Sequence, residues 1–236
     1  MLFFGGSMKK HLKYFSILEF SLWGCSVFAI FTSFILFDRN NYMTLAASLI
    51  GVTSLIFNAK GNPAGQVLMI VFSLLYGIIS YTFDYYGEMI TYLGMTMPMA
   101  VLALISWLKN PYKGSRSEVK VGSVGGREYA FMLCLTVLVT VVFYFILSFF
   151  GTANIIPSTL SVTTSFIAVY LTFRRCPLFA LAYAANDIVL IVLWILASIA
   201  DTRYISVAVC FAAFLVNDIY GYVNWQRMQK RQSQGL

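Results

Sequence analysis

Eight apolar stretches, each about as long as a bilayer is thick, recur along this 236-residue chain with short charged or turn-forming breaks between them. A helix needs about 20 mostly apolar residues to cross a hydrocarbon core of about 30 Å. The stretches fall at about 15–37, 42–58, 64–83, 87–108, 128–150, 155–173, 178–200 and 204–226. The breaks read DRNN, KGNP, FDYYGE, KNPYKGSRSEVKVGSVGGRE, GTANIIP, RRCP and ADTR, rich in the glycine, proline and asparagine that punctuate helices. The expected fold class is an all-α integral membrane protein of about eight transmembrane helices.

Composition agrees. Sixty per cent of the residues are hydrophobic and 11% charged, against roughly 45–50% and about 25% in a soluble domain. Eight spans leave no room for a soluble catalytic domain. The N-terminus, MLFFGGSMKKHLKYF, has the basic character of a signal peptide, but the apolar run after it is too long for a cleaved segment, so a retained first helix is expected. Met8 is an alternative start to Met1.

The net charge of +7 takes its meaning from where the basic residues fall. With both ends cytoplasmic, Lys and Arg should gather in the tails and every second loop. Fourteen of the sixteen do: Lys9, Lys10, Lys13, Lys60, Lys109, Lys113, Arg116, Lys120, Arg127, Arg174, Arg175, Arg227, Lys230 and Arg231, leaving Arg39 and Arg203. This pattern accounts for the basic balance without nucleic acid.

A weak internal repeat runs through the spans. One ends at NAKGNP, another follows, and a third ends at SWLKN; later, one ends at TFRRCP, another follows, and the last ends at NWQRM. Pro63 to Trp107 is 44 residues and Pro177 to Trp225 is 48. Two three-helix units separated by one helix share an orientation, giving a parallel 3+1+3 arrangement of the SWEET type, preceded by an extra N-terminal helix. The expected divisions are 1–39 (tail and extra helix), 40–108 (first repeat), 109–154 (loop and linker helix), 155–226 (second repeat) and 227–236 (tail).

Polar residues inside the spans need reasons, because an aspartate at a helix centre costs about 2.5–3.5 kcal/mol on insertion scales. In the seventh span Tyr183, Asn186, Asp187 and Leu190 share one face, with Trp194 a turn further. In the eighth, Asn217, Tyr220, Gly221 and Asn224 repeat the spacing, with Asp218 and Trp225 on the neighbouring strip. The third carries Gln66, Ser73, Tyr76 and Ser80. These amides and rings fit a polar, aromatic-lined cavity; they equally fit interhelical hydrogen bonding, and Trp107 and Trp225 fit an interfacial belt. Asp187 and Asp218 could relay protons, bind a cationic substrate or cap a hydrogen-bond network. Glu19 is expected at the interface, and GMTMP around Pro98 at a kink. Cys25, Cys134, Cys176 and Cys210 show no disulfide or metal pattern. His11 is the only histidine, and no nucleotide-binding or hydrolase motif occurs, so neither an enzyme nor a bound cofactor or metal is expected.

YAANDIVLIVLW followed by CFAAFLVNDIYGYVNWQRM, with AKGNPAGQ and SWLKNPY upstream, resembles the PnuC family of bacterial vitamin transporters over roughly residues 40–230. The resemblance implies a 3+1+3 fold related to SWEET proteins and a homo-oligomer, a trimer, in the bacterial inner membrane. It also implies facilitated diffusion of nicotinamide riboside, trapped by a separate cytoplasmic kinase. Relatives carry thiamine or riboflavin, and proton coupling through Asp187 or Asp218 is the mechanistic alternative. Carried onto this chain, the substrate-binding residues would be Gln66, Tyr183, Asn186, Asn217, Tyr220, Asn224 and Trp225, supported by Asp187, Asp218 and Trp194.

Overall fold

The computed structural model describes residues 14–83, 85–152 and 154–235; Lys9, Lys10, Lys13, His11 and both candidate start methionines lie outside the described residues. The helices are α1 (Ile17–Phe37), α2 (Tyr42–Ala59), α3 (Ala64–Thr82), α4 (Tyr86–Leu108), α5 (Gly126–Phe149), α6 (Ile155–Phe173), α7 (Leu178–Ser198) and α8 (Ile205–Ser233). Each belongs to a segment long and apolar enough to cross a bilayer. The chain is a multi-pass membrane protein.

Local chemistry sets the helix starts. Ser16 caps α1 in a capping box, its hydroxyl accepting from the Glu19 N–H while the Glu19 carboxylate accepts from the Ser16 N–H, which satisfies two otherwise orphaned donors. Asn41 caps α2 by accepting from the Thr44 N–H. Pro63 and Pro177 stand immediately before α3 and α7, where a missing N–H costs little.

Six helices form a closed ring. Taken as α2, α3, α4, α6, α7 and α8, each packs on the next, and α8 closes on α2. Helix α1 lies outside against α2 and α8, and α5 packs chiefly on α6. Both outer helices leave large apolar side chains uncovered, including Phe28, Leu36, Phe131 and Phe145. Lipid is as apolar as these groups, so exposure there is not penalised as it is in water.

The two halves contact each other reciprocally. The Trp107 indole at the end of α4 donates to the Thr172 carbonyl at the end of α6, at 2.9 Å. Trp225 of α8 donates to the Asn58 carbonyl at the end of α2, at 2.8 Å. The turns after α2 and α6 also match: Gly61 and Arg175 both take positive φ, 65° and 58°. The next residue in each turn donates back, Asn62 to Phe57 and Cys176 to Leu171, both at 3.0 Å. These matched contacts are consistent with the 3+1+3 repeat.

The long loop between the halves is ordered into a hairpin, β1 (Pro111–Tyr112) and β2 (Ser115–Val119). Strands of two and five residues are too short to show the alternation that identifies a strand in sequence. The segment runs across both matched turns: the Val119 N–H donates to Gly61 O and the Gly122 N–H to Arg175 O, both at 2.9 Å. A Cβ on Gly122 would sit 2.3 Å from the Arg174 carbonyl oxygen, so this crossing needs glycine.

Helix α4 is interrupted by a π-helical turn over Tyr92–Thr96, directly before Pro98. Proline has no N–H and its ring crowds the carbonyl four residues back, here Gly94. The wide turn accommodates that defect in the place the sequence marks for a kink.

Candidate functional site

The ring encloses a cavity to which all six helices contribute. Leu55 comes from α2, Met69 and Phe72 from α3, Tyr92 and Thr96 from α4, Ser165 from α6, Tyr183, Asn186 and Asp187 from α7, and Phe211, Phe214 and Asp218 from α8. Its volume is about 20 Å³, room for little more than one water. This is a closed state, and a drug-sized ligand would need the ring to part.

Asn186 is held in place by its own acceptor: its side-chain oxygen accepts from Thr164 Oγ1 at 2.8 Å and from Ser165 Oγ at 3.0 Å. Its amide nitrogen, with two donors, is not spent on those bonds. The Tyr183 hydroxyl meets Thr172. Asp187 and Asp218, 3% and 5% exposed, hydrogen-bond each other. The second oxygen of Asp187, Oδ2, is buried without a hydrogen-bond partner. Among the described residues, no lysine or arginine lines the cavity.

Aromatic clusters close it at both ends. Toward the end formed by the α3–α4 and α7–α8 connections, the Trp194 indole donates to the Tyr76 hydroxyl at 2.7 Å. The Tyr76 and Tyr92 rings lie 4.3 Å apart, and Tyr85 and Tyr204 flank Trp194 at 4.8 and 5.5 Å. Toward the other end, which carries Lys60, Arg174 and Arg227, the Trp225 ring packs on Phe179 at 4.9 Å and on Trp107 at 5.4 Å.

The structure therefore brings Tyr183, Asn186, Asp187 and Asp218 to one cavity and places the other expected site residues around it. Gln66 donates to Asn58 Oδ1 at 2.9 Å. Asn217 donates to Ser26 Oγ of α1 at 2.9 Å, and the Tyr220 hydroxyl to Glu19 of α1 at 2.8 Å. Asn224 donates to Ala59 O at 2.8 Å and borders a surface pocket at the basic end with Lys60, Arg227 and Arg231. Trp225 and Trp107 are fully buried, so neither serves an interfacial belt. Glu19, in the first turn of α1, is buried in protein and paired with Lys60 at 3.0 Å.

Several cavity residues carried no distinct sequence signal. Phe72, Phe211 and Phe214 look like any lipid-facing phenylalanine. Ser165 was recoverable: Ser158, Ser161 and Ser165 follow helical spacing and are all buried. Glu88, in the break FDYYGE, is buried in protein and accepts from Ser161 Oγ at 2.9 Å.

A family model described as nicotinamide mononucleotide transporter matches residues 41–227. The chain is similar to the nicotinamide riboside transporter PnuC of Neisseria mucosa, 27% identical over 202 residues that cover 84% of this chain and 76% of that protein. It is similar to the protein of the same name from Haemophilus influenzae, 21% identical over 193 residues, 81% of this chain and 82% of that one. Its fold is similar to the crystal structure of the vitamin B3 transporter PnuC, with a TM-score of 0.80 and 23% identity, over 92% of this chain and 94% of that one.

Proposed function

Since the chain belongs to the nicotinamide mononucleotide transporter family, a family of carriers and not of enzymes, we propose that it takes up nicotinamide riboside by facilitated diffusion through the six-helix ring. One observation carries this reading: all six ring helices converge on a cavity that pairs an amide, Asn186, with aromatic faces, a set suited to a flat carboxamide-bearing base and its sugar hydroxyls. The riboside fits better than the mononucleotide. A phosphate would bring about two negative charges into a cavity that already holds two carboxyl groups and, among the described residues, no basic side chain.

In this reading Tyr183 and Asn186 contact the substrate directly and Asp187 and Asp218 flank it. Gln66, Asn217, Tyr220, Asn224 and Trp194 shape the helices around it in the closed state and become candidates for contact as the ring opens, while Trp225 locks α8 to the end of α2. The basic residues gathered at one end favour a bacterial inner-membrane orientation with both tails cytoplasmic. Trapping by a separate cytoplasmic kinase and a trimeric assembly complete the proposal.

A second reading is proton-coupled uptake, favoured by the contact between the Asp187 and Asp218 carboxyl groups, which can exchange a proton. Purified protein reconstituted into liposomes separates the two. Uncoupled transport brings nicotinamide riboside to equal concentrations inside and out, with or without a pH gradient. Accumulation that follows the gradient would establish coupling, while equilibration of thiamine or riboflavin instead would overturn the substrate assignment.

A further inference from the structure

The Asp187–Asp218 pair has an electrical property that the transport reading leaves unused. Two carboxyl groups buried at one small cavity cannot both be ionised there; facing a bound cation, they can share one proton and carry one negative charge. That charge would face a cavity walled by the rings of Phe72, Tyr92, Phe211 and Phe214. The oxygen of Asp187 that lacks a partner is buried, and no lysine or arginine among the described residues lines the cavity to neutralise it. The titratable groups nearest the pair are Tyr92, Tyr183 and Cys210, none of which supplies a cation. A single negative charge inside a box of aromatic faces is the arrangement that selects an organic cation, because a buried cation without a countercharge is strongly disfavoured.

We propose that Asp187 and Asp218 act together as the counter-ion of a positively charged ring, so that this carrier selects its nucleoside by charge as well as by shape. This rests on the substrate reading above: in nicotinamide riboside the ring nitrogen is bonded to the sugar, and the ring is a pyridinium. The pair, bearing one proton, and the ring, bearing one positive charge, form a neutral complex. The site thus needs neither a co-transported ion nor a basic residue to balance the substrate.

The test compares two ligands of nearly identical shape and different charge. Nicotinamide riboside and its 1,4-dihydro form, which is uncharged, are titrated by calorimetry into the purified full-length protein in detergent. The wild type is compared with Asp187→Asn, Asp218→Asn and Asp187→Glu, each first checked by thermal unfolding. The wild type is expected to prefer the cation by about tenfold or more. Either Asn variant should abolish that preference while still binding the dihydro form, and Asp187→Glu should restore part of it. Equal binding of the two ligands by the wild type overturns the counter-ion role and leaves the transport reading standing. Equal loss of both ligands in the Asn variants overturns it as well, assigning the pair to structure. Binding of neither ligand by the wild type overturns the substrate reading itself. Should the Asn variants fail to fold, the wild-type ratio decides alone.

Discussion

Trp225 has every apolar and polar atom committed to protein. Its ring is wedged between Phe179 and Trp107, and its N–H reaches the Asn58 carbonyl. That carbonyl also accepts from the Gly61 N–H, so removing the indole N–H does not orphan it. Trp225→Phe is accordingly expected to cost about 1 kcal/mol for the lost hydrogen bond, a fall in Tm of about 2–4 °C for a chain of this size. Trp107→Phe should cost about as much, because the Thr172 carbonyl likewise keeps the Arg175 N–H. Thermal unfolding in detergent measures both, and calorimetry should find the affinity for nicotinamide riboside nearly unchanged. A Trp225 that stacks on the substrate would give the reverse, lost affinity with unchanged Tm. The sequence marks Trp225 as special but cannot say why, since a tryptophan spaced for a ligand and one spaced to lock two helices look alike.

Among the helices, α4 departs most from regularity. Its π-helical turn sits among Tyr92 and Thr96, both cavity residues, and its cause is Pro98. Pro98→Ala restores an N–H able to bond to the Gly94 carbonyl and removes a steric clash that costs up to about 3 kcal/mol in a regular helix. The variant should unfold at a higher temperature yet transport several-fold more slowly, because tightening the turn rotates Tyr92 and Thr96 away from the other five helices. Parallel measurements of Tm and proteoliposome uptake test this; a variant that is both more stable and equally fast would show the wide turn to be a passive accommodation. Most element boundaries were legible: the expected 155–173 and 42–58 stand within a residue of α6 and α2, since charge and proline interrupt apolar runs abruptly; the end of α8 was not, because the helix continues to Ser233, past the expected 226 and into the polar tail, where apolar length carries no signal. The hairpin at Pro111–Val119 was not legible either, because strands of two and five residues are too short to show alternation.

Taken whole, the molecule is a ring with two outriggers, and its extra helix α1 is tied on by polar contacts. Glu19 accepts from Lys60 and from Tyr220, and Ser26 accepts from Asn217. Two residues that the sequence marks for a substrate thus hold α1 to α8 in this conformation, which periodicity cannot reveal: it places Asn217 and Tyr220 on a face without naming the neighbour. The cavity draws no residue from α1. Deleting residues 1–39 is therefore expected to lower Tm by several degrees, as Lys60 loses its partner, while leaving unchanged the order in which candidate vitamins compete for uptake. A changed order in a competition assay would place α1 in the site. The same reasoning explains why the fold was more legible than the site: apolar length identifies a crossing, whereas a cavity phenylalanine such as Phe211 and a lipid-facing one such as Phe145 differ only in what surrounds them.

The loop segment that touches both matched turns has a mechanical consequence. Val119 and Gly122 fasten the Gly61 turn of one half and the Arg175 turn of the other to a single short stretch of backbone, all at the basic end. The molecule is built like a pair of tongs pinned near one tip. Spreading the unpinned tips breaks none of these bonds, but spreading the pinned ones must peel the segment from one jaw. The two ends therefore have unequal stiffness, and a ring so pinned parts more readily at the end away from the basic loops than at the end that carries them.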